Sequence, residues 1–384
     1  MMRQFHNVTI GETGERDPII AIKGGKFTDT ADNHSEIEHL TFNEPCYLLP
    51  GFIDVHIHGI ANADVMDGTE EALDTMQRAL VKEGTTSFLP TTLTGDFGNL
   101  LHIGGLIQNK MGQHESGATI LGAHVEGPFI HPNKRGAQPL EHILKMNKNH
   151  IDDLLAAYGD ALRIITLAPE LDHDEQIKRL ANEGVTVSIG HTEATYEETS
   201  ASIVAGASHI THLYNAMTGF HHREVGVVGA AFLRPELTVE LIADGYHASK
   251  EAVQLCFQTI GADRLLLITD SMRAKGMGDG AFDLGGQEVT VLGSEARLSN
   301  DVLAGSVLKM NEAAALMREV TSCSLAELVK MTSTNQAKKL GIGDRKGSIA
   351  LGFDADFIIV NERFDIMQTY VNGKLVFDKK ENAE

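Results

Sequence analysis

Residues 47–59 read YLLPGFIDVHIHG, an apolar run that closes on His56 and His58. The run reads as a buried strand, and a side-chain period of two puts both imidazoles on one face of it. Seven more short apolar runs follow: TTSFLPTTLT (85–94), TILGAHVEGPFI (119–130), LRIITLAPE (162–170), VTVSIGHT (185–192), HITHLYNAM (209–217), VELIADGYH (239–247) and LLLITDSM (265–272). Amphipathic stretches lie between several of them, such as EEALDTMQRALVKEG (70–84) and DEQIKRLANEG (174–184), the latter stopping at a glycine. Eight strands alternating with helices predict an α/β fold, a (β/α)8 TIM-like barrel. The crossover after HITHLYNAM is only weakly helical, and helical patterns resume at 306–340.

Outside the barrel, residues 1–45 look like short strands, with Gly24-Gly25 as a hairpin cue. The tail from 347 is strand-like again, with Asn372-Gly373 as a type I′ turn. Two β-rich ends flanking one barrel pair most simply into one small sheet domain. That division gives 1–50 and 347–384 to the small domain and 51–346 to the barrel. The length of 384 residues suits it, and with 42% hydrophobic residues the core needs no staple. Cys46, Cys256 and Cys323 are odd in number and form no C-x-x-C, so neither a disulfide framework nor a thiolate zinc site is expected. They suit a reducing cytosol. The formal charge of −21 argues against nucleic acid or an anionic membrane as partner. The opening MMRQFHNVTIGETGERDPII has no apolar signal region and no run reaches the roughly 18 apolar residues of a membrane span, so a cytoplasmic protein is expected.

In a barrel, catalytic groups gather at the C-terminal ends of the strands. His56 and His58 close the first strand, Glu126 the third, His191 follows VTVSIG, His212 lies in HITHLYN and Asp270 follows LLLIT. Each has a plainer reading alone. Glu126 could be a surface carboxylate, His191 a satisfied core histidine and Asp270 the cap of the next helix. His209 competes with His212 and reads as structural, and His124 reads as a packing residue. Jointly, six metal-competent side chains ending five strands point to a bound divalent transition metal rather than calcium or magnesium.

With those residues placed, the chain resembles the amidohydrolase superfamily and, within it, the N-acetylglucosamine-6-phosphate deacetylase family. The motifs that carry the likeness are PGFIDVHIHG, GAHVEGPFI, GHTEA, THLYNAM, IADGYH, ITDSM, LAGS (303–306) and GSIALGFDADFIIV. The resemblance implies a barrel plus a small β-sandwich built from both termini. Related hydantoinases bridge two metals with a carbamylated lysine on strand four; LRIITLAPE has no lysine, and Glu126 can take that place. Some deacetylases lack the histidine pair and hold one metal, whereas this chain keeps both. A binuclear site of zinc or iron is therefore expected, one ion on His56, His58 and Asp270, the other on His191 and His212, with Glu126 between.

Such an ion lowers the pKa of its water from 15.7 towards about 7. Asp270 can then accept the water's proton and deliver it to the leaving nitrogen. The expected reaction is hydrolysis of N-acetyl-D-glucosamine 6-phosphate to D-glucosamine 6-phosphate and acetate, for amino-sugar catabolism and cell-wall recycling. For the phosphate, Asn215, the backbone of Ala216 and Arg223 are candidates, since a guanidinium pairs two phosphate oxygens at once. The plain alternative for Arg223 is a solvated surface residue. The resemblance carries Arg223 over as a phosphate ligand, reaching in some members into the neighbouring subunit of a homodimer. It also carries His247, Leu303, Ala304 and Gly305, and Ala137 with Gln138, to substrate contacts; at Gln138 other members hold a histidine. Lys134 and Arg135 could add local positive charge, and RAKGMGDGAFDLGG (273–286) reads as either a lid or a surface loop. The rival readings are another amidohydrolase acting on a cyclic amide or a different N-acetylated sugar, and a barrel that has lost catalysis.

Overall fold

The protein is seen here in a computed structural model that describes residues 1–29, 36–113, 117–172 and 175–381. Residues 30–35 and 382–384 of the expected small domain, and Asp174 in the second amphipathic stretch, lie outside the described residues. Among the described residues all eight apolar runs contain a barrel strand: Phe52–Ile57, Thr85–Thr92, Ala123–Glu126, Leu162–Leu167, Thr186–Ile189, His209–Ile210, Thr238–Ile242 and Leu265–Ile268. Each is hydrogen-bonded to the next in chain order, and the pairings are parallel. Their side chains are almost all buried, as expected where strands are covered on one face by helices and on the other by the barrel interior.

The seam between the last and first strands is closed differently. The His56 carbonyl accepts from the Asp270 amide and the Ser271 carbonyl from the His58 amide, both at 2.9 Å. Below them the buried Asp54 carboxylate accepts from the Thr269 hydroxyl at 2.5 Å and from the His56 amide at 3.2 Å. A side chain thus substitutes for ladder bonds where the ring closes, and it sets the histidine pair beside Asp270.

Local chemistry explains the connecting helices. Glu70–Leu80 starts at Thr69, whose hydroxyl accepts from the Ala72 amide, and buries Leu73, Met76 and Leu80 at helical spacing. The second stretch gives the short helix Gln176–Asn182. The weak crossover is the helix Gly226–Leu233, eight residues and apolar on nearly every side. Gly226 to Ala231 are buried while Leu233 at the end is exposed, so apolar residues face both the core and water and no amphipathic signal results.

Both termini meet in a seven-stranded sheet ordered Lys374–Asp378, Ile366–Val371, Phe357–Asn361, Ile37–Pro50, Met2–Ile10, Ile19–Lys23 and Lys26–Phe27. The two expected hairpins are present. Asn372 and Gly373, with φ of 47° and 74°, make the positive-φ pair a type I′ turn requires. The sheet has its own core, in which Phe357 stacks on Tyr370 at 4.3 Å between ring centres.

One reading is corrected. The stretch 273–286 is not a plain loop: it opens into a three-stranded antiparallel sheet, Gly280–Leu284, Gln287–Leu292 and Glu295–Leu298. Val289 and Val291 alternate with exposed residues and pack on Leu284 and Ala296, giving this sheet a small core beside the barrel mouth. Among the described residues no helix is long and apolar enough to cross a membrane.

Candidate active site

Five barrel strands deliver the six expected ligands to one point. The Nε2 atoms of His56 and His58 lie 3.3 Å apart, and both face Asp270 Oδ1, at 3.5 and 3.1 Å. Glu126 lies between the two halves: Oε1 is 3.4 Å from His56 Nε2 and 3.1 Å from the Nε2 atoms of both His191 and His212. His191, His212 and Asp270 have positive φ values of 49°, 29° and 49°. Side chains other than glycine pay of order 1–3 kcal/mol for such backbone, which persists where the surroundings over-determine it. Here it follows each strand end and turns the side chain inward over the mouth.

The far nitrogens decide what the near ones can do. His56 Nδ1 faces a Glu240 oxygen at 2.9 Å, His58 Nδ1 the Thr91 carbonyl at 3.0 Å and His191 Nδ1 the Lys134 carbonyl at 2.8 Å. Those oxygens only accept, so each Nδ1 carries the hydrogen and donates it. Each neutral ring therefore points an Nε2 lone pair at other lone pairs and at two carboxylates, an arrangement that repels unless a cation sits between. Protons can also balance the charges. Burial lowers His56, but Asp270, Glu240 and Glu126 outweigh it and push the ring up to about 10. Burial raises Glu126, yet the His191 and His56 rings hold it well below the ordinary carboxylate range. A dication achieves the same balance using the lone pairs the second nitrogens have prepared. His56, His58 and Glu126 form one group that could hold a metal, and Glu126, His191 and His212 another. His124 is not available: Nδ1 donates to the Val55 carbonyl, Nε2 accepts from Thr166, and burial lowers the ring to about 3.

A cavity of about 490 Å³ opens above this point, lined by His58, Glu126, His191, His212 and Asp270. Of the expected substrate contacts, Ala137, Gln138, Asn215, Ala216, His247, Leu303 and Gly305 line it too. Gln138 is committed: its amide donates to Glu126 Oε2 at 2.5 Å and its oxygen accepts from the Thr94 amide at 2.6 Å. His247 is held by Asp244, which its Nδ1 meets at 2.6 Å.

Two expected contacts do not line it. Arg223 is exposed, because paired backbone bonds between His221 and Glu224 make a turn that carries its guanidinium into solvent against His222. Ala304 is fully buried behind Leu303, its amide donating to the Ala296 carbonyl in the small sheet's core. Sequence reasoning missed Asn133, Arg297 and Asp301 in the lining, Arg297 because it belongs to the unrecognised sheet and Asp301 because it lies in the turn that follows it. It also missed Glu240, whose only signal was an acid inside the apolar run VELI. His209, read as structural, donates to Glu240 Oε1 at 3.1 Å.

A model described as the amidohydrolase family matches residues 47–376. The chain belongs to the amidohydrolase family. This amidohydrolase is 48% identical over 338 residues to the N-acetylglucosamine-6-phosphate deacetylase of Bacillus subtilis (strain 168), covering 87% of this chain and 85% of that protein. It is 37% identical to the N-acetylgalactosamine-6-phosphate deacetylase of Escherichia coli O157:H7, over 85% of this chain and 87% of the other. Among solved structures, an Asp-to-Ala variant of the Mycobacterium smegmatis N-acetyl-D-glucosamine-6-phosphate deacetylase, in complex with N-acetyl-D-glucosamine-6-phosphate, matches with a TM-score of 0.90. Its sequence identity is 28%, with 98% of this chain and 99% of that one covered.

Proposed function

We propose that this amidohydrolase is a metal-dependent deacetylase that converts N-acetyl-D-glucosamine 6-phosphate and water to D-glucosamine 6-phosphate and acetate. The observation that carries the reading is the set of imidazole lone pairs and carboxylates, from five strands, aimed at one point beneath a polar cavity. His56, His58 and Asp270 would hold one ion and His191 and His212 another, with Glu126 between them; the donor set suits zinc or iron. Ions bound there supply a water acidic enough to lose its proton near neutral pH and an electrophile for the acetyl oxygen.

The chain's own groups do the rest. Asp270 lines the cavity and faces the histidines through Oδ1, which leaves Oδ2 to take the proton from water and pass it to the departing sugar nitrogen. Gln138 commits its oxygen to Thr94 and one amide hydrogen to Glu126, and an ion held by His191 and His212 would supply the electrophile for the acetyl oxygen. Asn215, the Ala216 amide and His247 stand on one wall for the sugar phosphate, with Lys134 and Arg297 as the cavity's cations. Arg223, exposed outside its own cavity, fits a phosphate ligand offered to a second copy in a homodimer. The product then serves cytoplasmic amino-sugar catabolism and cell-wall recycling.

The Escherichia coli relative favours a second reading, the galactosamine epimer as substrate. Rates of acetate release, measured with metal content, from N-acetylglucosamine 6-phosphate, its 4-epimer and the unphosphorylated sugar separate these. The first substrate should be fastest. Equal rates with and without phosphate refute the phosphate contacts, and preference for the epimer makes the second reading the right one.

A further inference from the structure

We propose that Glu240 is a positioning residue whose negative charge, acting through His56, makes the His56–His58–Asp270 half of the centre able to hold its ion. The inference rests on the two-ion reading above and assigns a cause to the second ion. Glu240 lies on the seventh barrel strand, Thr238–Ile242, and is fully buried. Oε2 accepts from His56 Nδ1 at 2.9 Å and from the His212 amide at 3.2 Å, and Oε1 accepts from His209 Nε2 at 3.1 Å. His209 is fixed in turn by Thr238 Oγ1 at 2.6 Å from its Nδ1. Among the described residues no lysine or arginine pairs with Glu240; its ion-pair partners are the two histidines.

A carboxylate so buried is costly, and neutral donors alone do not offset it. Positive charge on the far side of His56 does. The other rings lack this device: His58 and His191 rest on neutral carbonyls, and His212 Nδ1 has no partner among the described residues. Among the described residues Glu240 is thus the one charged group hydrogen-bonded behind the four imidazoles, and it makes His56 the most basic donor among them. Charge counting agrees. Glu126 and Asp270 bring two negative charges against the four positive charges of two dications, and Glu240 brings a third.

The test is Glu240→Gln in the full chain. Glutamine keeps the shape and can accept from His56 and donate to His209, which switches its proton to Thr238, so only the charge is removed. Zinc stoichiometry and the Kd of each ion are measured by competition with a chromophoric chelator, alongside thermal melting of the metal-free proteins. Wild type should hold two ions. In the variant one ion keeps its affinity and the other weakens about 10–100-fold, the range found for outer partners of metal ligands. Glu240→Asp, which keeps the charge one methylene further away, should bring back two ions with intermediate affinity. Two ions held as tightly in Glu240→Gln as in wild type overturn the proposal, as does equal weakening of both. If Glu240→Gln does not fold, Glu240→Asp decides: the one ion must weaken several-fold with the other unchanged, and two unchanged affinities overturn it. A wild type that holds one ion or none refutes the two-ion reading itself, and the proposal with it.

Discussion

Lys275→Met tests how the region under the site is held together. The Lys275 ammonium is fully buried and meets Glu83 Oε1 at 2.8 Å, with Glu83 3% exposed. At that distance, with an effective dielectric constant near 20, the attraction is about 6 kcal/mol. Desolvation of both groups opposes it, and removing one partner of such a buried pair costs about 3–5 kcal/mol because the other charge is stranded. Burial already holds Glu83 above its ordinary value, with Lys275 as the chief opposing influence. An acid raised on folding binds more protons in the folded state, so it lowers stability above its folded pKa, and the deficit is relieved as pH falls towards the unfolded value. Without Lys275 that penalty grows. The variant should therefore lose about 3–5 kcal/mol at about pH 8 and regain part of it by about pH 5, read as urea midpoints against wild type at each pH. Adding Glu83→Leu should restore most of the loss at the higher pH. A Lys275→Met protein within about 1 kcal/mol of wild type at both pH values would refute the reasoning, since it would place the pair in contact with water.

Asp270→Asn should lower turnover by about 10²–10⁴ with a smaller change in KM, checked at matched metal content; near-normal turnover removes Asp270 from the chemistry. Chelation should lower the melting temperature and refilling with zinc restore it, since free metal at about 100 Kd adds about 2.7 kcal/mol through linkage; an unchanged melting curve speaks against a bound ion. Gly59→Ala would set a Cβ 2.5 Å from the Ala63 carbonyl oxygen and 2.7 Å from the Arg273 amide, both backbone atoms that cannot step aside. It should cost about 1–3 kcal/mol and loosen the ion beside His58, measured by chelator competition.

The eight strands, both hairpin turns and the six converging side chains were legible in the sequence, because each rests on a local signal. Short apolar runs between helical stretches, a positive-φ Asn-Gly pair and a polar residue after an apolar run need only near neighbours to be read. Even these gave way where composition was uniform: the helix Gly226–Leu233 showed no periodicity because its buried residues and its exposed Leu233 alike are apolar. The sheet at 280–298 hid behind glycines that are its turns.

What tertiary structure alone decided is which atoms back the histidines and which residues reach the cavity. Glu240 stands 184 positions from His56, and only the ring of strands brings them to 2.9 Å. The carbonyls of Thr91 and Lys134 that fix two tautomers belong to the main chain, which looks the same at every position. Arg223 and Ala304 sit in motifs that read as substrate contacts, yet a tight turn sends one into solvent and a neighbouring sheet covers the other. Local sequence can specify where a strand ends and which donor stands there; the direction of a lone pair and the lining of a cavity are set by partners that only closure of the barrel supplies.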